Sequence, residues 1–145
     1  MKSTIAFAVL AICSIGFASC SNETSAPDMS QLPQSVQNVI TDNFNSDVMV
    51  ATTETNSFGA DEYEVVLVDG TKVKFEGEEW EEVEVPLGQQ VPATFIIEPI
   101  QSYISQNMPG QYVVKIDRDK KGYDVDLSNG VEVKFDTNGT FIKID

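Results

Sequence analysis

Between residues 63 and 76 apolar and polar side chains alternate with a period of two, and they do so again between residues 123 and 136. In the first stretch Tyr63, Val65 and Leu67 alternate with Glu64, Val66 and Val68. In the second, Tyr123, Val125 and Leu127 alternate with Asp124, Asp126 and Ser128. Successive side chains of a strand point to opposite faces, so each run predicts a strand with one oily face. Asp69-Gly70 and Asn129-Gly130 follow, residue types that accept positive φ in a tight primed turn. The return strands keep the alternation, with Val73 and Phe75 inward and Lys72 and Lys74 outward. Val131, Val133 and Phe135 then point inward, and Glu132 and Lys134 outward. Tyr, Val, Leu, Gly, Val, Lys and Phe recur in one register sixty residues apart, which reads as a duplicated β-hairpin.

A helical period precedes each hairpin. Leu32, Val36, Val39, Ile40 and Phe44 fall on one face of an α-helix, with Pro33 suited to its first turn and Ser30 as a cap. Phe95, Ile96, Ile100, Tyr103 and Ile104 form a second such face. Pro99 interrupts it and implies either a kink or a short turn to Ile97 with a fresh start near Pro99. Val48–Glu54, Glu78–Val85, Gln111–Asp117 and Thr140–Ile144 supply the remaining strands, and Arg118–Gly122 reads as a charged turn. The expected fold is α+β: two tandem helix–β4 repeats, residues 30–87 and 88–145, forming an antiparallel sheet with the helices packed on one face. A sixty-residue repeat buries too little surface to be stable alone, so the two are expected to form one unit.

Residues 1–20 have the form of an export signal, with Lys2 and then an apolar run from Ile5 to Phe17 too short for a stable membrane span. Ala18-Ser19-Cys20 resembles a bacterial lipobox, in which Cys20 becomes the lipidated first residue, although Phe17 stands where leucine is usual. Ordinary cleavage just after Cys20 is the alternative. Residues 21–29 are polar and aperiodic, a flexible tether. Loss of Cys13 with the leader rules out a disulfide.

The 145 residues carry 9 Lys+Arg against 23 Asp+Glu, a net charge of −14. Such a chain repels nucleic acid and anionic lipid surfaces, so contact with a membrane is expected only through an N-terminal lipid anchor. With no histidine, a Ser-His triad and a histidine-ligated metal are both excluded. No motif implies a cofactor.

The order of helix and four antiparallel strands, twice over, resembles the β-lactamase-inhibitor-protein fold. The motif Tyr-[Glu/Asp]-Val-x-Leu-x-[Asp/Asn]-Gly-x-x-Val-Lys-Phe-[Glu/Asp] is similar to that of the PepSY-like proteins of Gram-negative bacteria, which are small and secreted or lipid-anchored. The resemblance implies a periplasmic or outer-membrane lipoprotein without an established activity. Relatives by fold bind enzymes through an open, concave sheet face. A non-enzymatic module that binds a protein, inhibiting or regulating an exported enzyme, is therefore the leading expectation. A small-ligand or cation-binding module using the acidic face is the alternative.

Candidate contacts follow from the alternation. Trp80 and Phe141 align between the two copies, each opposite its strand's inward set (Val83 and Val85; Ile142 and Ile144). That places both aromatics on the face the helices leave bare, with Glu82 and Lys143 beside them. Packing at the strand ends is the plainer role for both rings. The glutamates from Glu76 to Glu84 suit a basic partner, a cation or a solvated edge strand. Asp117-Arg118-Asp119 and Asp136-Thr137-Asn138-Gly139 fall short of a calcium loop and suit turns. Asp124 and Asp126, adjacent outward positions, suit a solvated face better than acid–base catalysis.

Overall fold

The computed structural model describes residues 29–145. The expected signal, Cys20 and all of the tether except Met29 lie outside the described residues. A short 3-10 turn, Met29–Gln31, leads into helix α1 (Gln34–Asn43). Strands β1 (Val48–Thr55), β2 (Asp61–Leu67), β3 (Lys72–Glu76) and β4 (Glu79–Glu84) follow. A second 3-10 turn, Ala93–Phe95, precedes α2 (Glu98–Asn107). Strands β5 (Val113–Asp119), β6 (Gly122–Leu127), β7 (Glu132–Asp136) and β8 (Phe141–Ile144) complete the chain.

All eight strands form one antiparallel sheet in sequence order. This corrects the expectation of an α+β fold made of two tandem helix–β4 repeats. The described residues form predominantly one continuous sheet with two ten-residue helices. The physical reason lies at β4 and β5, where Glu82 pairs with Asp117, Val83 with Ile116 and Glu84 with Lys115. Two separate four-stranded sheets would leave four open edges. This pairing removes two of them and drives Val83 against Ile116, both fully buried.

The period-two pattern does place the core. Val65, Leu67, Val73 and Phe75, and likewise Val125, Leu127, Val133 and Phe135, are buried in one cluster with Val36 and Ile40 of α1 and Ile100 and Ile104 of α2. Both helices therefore cover the same face. Each such side chain contributes about 2 kcal/mol on leaving water. Pro33 sits at the N-cap of α1 rather than in its first turn. Pro99 does not kink a longer helix. It opens α2, where its missing N–H has no helical partner to lose.

Two local expectations change. The Gly70 N–H donates to Leu67 O and the Leu67 N–H to Thr71 O, so three residues, not two, connect β2 to β3, with Gly70 at φ +94°. Leu127, Gly130 and Val131 repeat this arrangement. Residues 118–122 are not a turn throughout, because β5 runs to Asp119 and β6 starts at Gly122.

Candidate functional site

The centre of the face opposite the helices carries two rows of side chains, one crossing the whole sheet and the other running from β1 to β7. Pairing between neighbouring strands sets Thr52, Glu64, Lys74, Glu82, Asp117, Asp124, Lys134 and Lys143 side by side. The adjacent row runs Val50, Val66, Lys72, Glu84, Lys115, Asp126 and Glu132. Every lysine of the described residues except Lys120 and Lys121 stands in these rows. Five lysines thus stand among seven carboxylates in these two rows, so the centre of this face is close to charge balance in a strongly acidic chain.

The charges are paired in detail. Lys72 Nζ lies 3.2 Å from Glu84, and Lys74 Nζ 3.3 Å from Glu82. Lys115 Nζ lies 3.5 Å from Glu82 and 3.1 Å from Asp117. Lys134 Nζ reaches Asp124 at 2.7 Å and Glu132 at 2.6 Å, and these hydrogen bonds hold its ammonium above the ordinary lysine range. Lys143, opposite Lys134, pairs with Asp145 at 2.5 Å. Glu82 is the most enclosed carboxylate of these pairs, with its side chain 13% exposed. Burial, then a hydrogen bond to Glu82, pushes Asp117 up to about 6 despite the nearby Lys115. Burial works against the charge of Glu82 too, but Asp117, Lys115 and Lys74 outweigh it and hold that carboxyl low. Asp126 is raised by burial and by Glu132. A depression of about 370 Å³ lies here, lined by Lys74, Glu82, Asp117 and Asp124 among others.

A third row, toward the β3–β4 turn, is all acid on the first four strands. Glu54 pairs with Glu62, Glu62 with Glu76 and Glu76 with Glu79. Like charges directly opposite one another cost stability. Beside this row Glu81 is raised by burial and by its contact with Glu76.

Glu82 and Lys143 thus lie on the bare face, as their alternation implied, whereas Trp80 and Phe141 do not. A β-bulge follows Lys74, so that Lys74 pairs with Glu82 but Phe75 with Trp80, and Glu81 is the extra residue. An equivalent bulge makes Ile142 the extra residue, setting Phe141 opposite Phe135. The extra residue reverses the alternation and turns both aromatics to the helix side. There Trp80 packs edge-on to Phe95 at 5.3 Å, and the Arg118 guanidinium sits 4.4 Å from its ring centroid. Arg118 Nη2 also donates to Trp80 O at 2.7 Å and to Glu79 at 3.0 Å. Phe141 stacks on Tyr103 of α2 at 4.8 Å.

The other motifs are structural. Asp119 Oδ1 accepts from the Lys121 and Gly122 N–H groups, and Asp136 Oδ1 from those of Asn138 and Thr140. The Thr140 and Asn138 bonds keep the Asp136 carboxyl low. Among the described residues no three His, Cys, Asp or Glu side chains are grouped to hold a metal ion. The pairing of Lys115 and Asp117 with Glu82 escaped the sequence reading, because it joins strands separated by a helix and two connections. The pair Trp80 and Val83, both inward yet three apart, was the available sign of a bulge, repeated by Phe141 and Ile144.

A family model described as "Putative beta-lactamase-inhibitor-like, PepSY-like" matches residues 61–143. The chain belongs to the PepSY-like family. Three solved structures are similar to this PepSY-like chain over most of their length. A "putative periplasmic protein of unknown function" from Bacteroides vulgatus is 36% identical with a TM-score of 0.77, over 81% of this chain and 94% of that one. A "putative calcium-regulated periplasmic protein" from Bacteroides thetaiotaomicron is 40% identical with a TM-score of 0.75, over 82% and 94%. A "putative periplasmic protein" of the DUF2874 family, also from Bacteroides vulgatus, is 34% identical with a TM-score of 0.78, over 86% and 98%. Comparison with curated proteins found no match. The periplasmic neighbours of this PepSY-like protein support its export to the periplasm.

Proposed function

We propose that this PepSY-like protein is a non-enzymatic periplasmic module that binds a protein partner through the bare face of its sheet, as an inhibitor or regulator of an exported enzyme. Cys20, in this reading, is the acylated residue that tethers it to the outer membrane. The supporting observation is the near charge balance of the two central rows of that face. An acidic molecule repels most acidic surfaces, but the two central rows pair their lysines with carboxylates and leave a polar lattice that no helix of the described residues covers. Such a surface can exchange internal ion pairs for intermolecular ones and so select a partner by charge pattern. Glu82 and Lys143 stay in the contact. Trp80 and Phe141 leave it, since their rings are engaged by Phe95, Arg118 and Tyr103.

Capture from periplasmic extract tests the reading, comparing the wild-type chain with a Glu82→Lys, Lys143→Glu double variant. Loss of a specific partner with retained folding supports it. Equal recovery removes the bare face from the function.

A second reading takes the glutamate row Glu54–Glu62–Glu76–Glu79 as a site for calcium, which would have to draw these carboxylates together, since they are not grouped around a common centre in this structure. Its grounds are the like-charge pairing of that row and the printed description of the relative from Bacteroides thetaiotaomicron. Calorimetric titration with calcium separates the two, since only this reading gives heat together with a raised melting temperature.

A further inference from the structure

We propose that strand β1 is the docking edge for a second copy of this chain, pairing antiparallel with itself about Thr52. The open sheet has two edges, β1 and β8. The β8 edge has four residues, carries Lys143 mid-strand with Asp145 just beyond, and turns Phe141 onto Tyr103. Shortness and charge blunt an edge. The β1 edge has eight residues, Val48–Thr55, regular from Val50 onward after a bulge at Met49, with no lysine, no proline and no charge before Glu54.

The backbone of β1 fixes which groups are offered. Asn56 N–H donates to Ala60 O, which makes Asn56 and Ala60 a hydrogen-bonded pair. Such pairs recur every second residue along an antiparallel ladder. Glu54 and Thr52 therefore bond to β2, whereas Ala51, Thr53 and Thr55 present their N–H and C=O groups to the free edge.

A two-fold axis perpendicular to the sheet at Thr52 uses those groups. It sets Ala51 opposite Thr53 of the second copy, twice by symmetry, and Val50 opposite Glu54. All of these pairs match inner face with inner face and outer with outer, and none opposes like charges. The axis also reverses the strand ends. The acidic row that starts at Glu54 then runs toward the row Val50, Val66, Lys72 of the other copy instead of its own counterpart. The row through Thr52, Glu64, Lys74 and Glu82 continues unbroken into its mate. One open and one blunted edge give a closed pair, not a filament. The pair presents two bare faces on the same side.

Sedimentation equilibrium of residues 21–145, which lack the proposed acylation site Cys20 and so stay in solution, tests this with two variants. Thr53→Pro removes an edge-directed N–H without touching the β2 ladder, and Thr52→Lys sets two ammonium groups together at the axis while Glu64 neutralises each within its own copy. The wild type is expected to dimerise, and each variant to weaken the dimer about tenfold or more with an unchanged circular-dichroism spectrum. A wild type monomeric up to millimolar concentration, or a dimer indifferent to both substitutions in folded variants, would overturn the proposal.

Discussion

Glu82 and Asp117 face each other across the β4–β5 seam, and their carboxyl groups titrate in opposite directions. Asp117 binds its proton more tightly in the folded chain, from its ordinary 3.8 up to about 6. Its favourable contribution is therefore full below that window and is lost as pH rises through it. Glu82 has the opposite sign, its contribution fading as pH falls below the usual glutamate range. Asp117→Asn keeps the protonated shape, so it should stabilise the protein near neutral pH. The side chain is 41% exposed, so solvent screening reduces the gain to about 1 kcal/mol or less. Thermal melts of both proteins across acid to neutral pH check this. A gain that does not shrink in acid contradicts the raised Asp117 carboxyl and its hydrogen bond to Glu82.

Thr71 is completely buried, and its Oγ1 has no hydrogen-bond partner among the described residues. Val131 stands at the equivalent place in the second hairpin. Thr71→Val removes a desolvated hydroxyl while keeping the shape, and should stabilise by about 1 kcal/mol. Chemical denaturation with an unchanged slope would register it. A destabilised variant would mean that the hydroxyl is satisfied.

Gly122 has φ +150°, and a Cβ there would lie 2.0 Å from Phe135 O. That is backbone of the paired strand, which cannot yield. Gly122→Ala should cost about 3 kcal/mol or more and loosen the β6–β7 ladder. Hydrogen exchange on Gly122–Asp136 amides reads this locally.

Trp80→Ala should destabilise the fold by about 2–4 kcal/mol, because it removes a ring packed on Phe95, and Phe141→Ala, whose ring stacks on Tyr103 but is 39% exposed, by about 1–2 kcal/mol. Partner capture should survive both substitutions where the chain still folds. Stable variants that lose the partner would return these rings to the binding surface.

The inward positions of the hairpins were readable because Tyr63, Val65 and Leu67, and their counterparts from Tyr123, obey a period of two that only a strand satisfies. Pro99 also announced its own effect, since one of the two outcomes expected of it opens α2. The continuous sheet was not readable. The β4–β5 pairing is a long-range choice made by Val83 and Ile116, and no local pattern encodes it. Trp80 and Phe141 were assigned to the wrong face because a bulge depends on how two strands match. Glu81 and Ile142, the extra residues, look like ordinary members of an alternating run. The near charge balance at the centre of the bare face was hidden for the same reason. An acidic composition says nothing about where five lysines converge once eight strands are aligned.

Lysine footprinting of the captured complex addresses the binding face most directly. Lys72, Lys74, Lys115, Lys134 and Lys143 stand on it, whereas Lys120 and Lys121 occupy the β5–β6 connection. Acetylation read by mass spectrometry, with and without partner, should show protection at most of the first five and unchanged labelling at Lys120 and Lys121. Protection confined to Lys120 and Lys121, or absent from the central Lys74 and Lys115, would contradict a partner bound across the bare sheet.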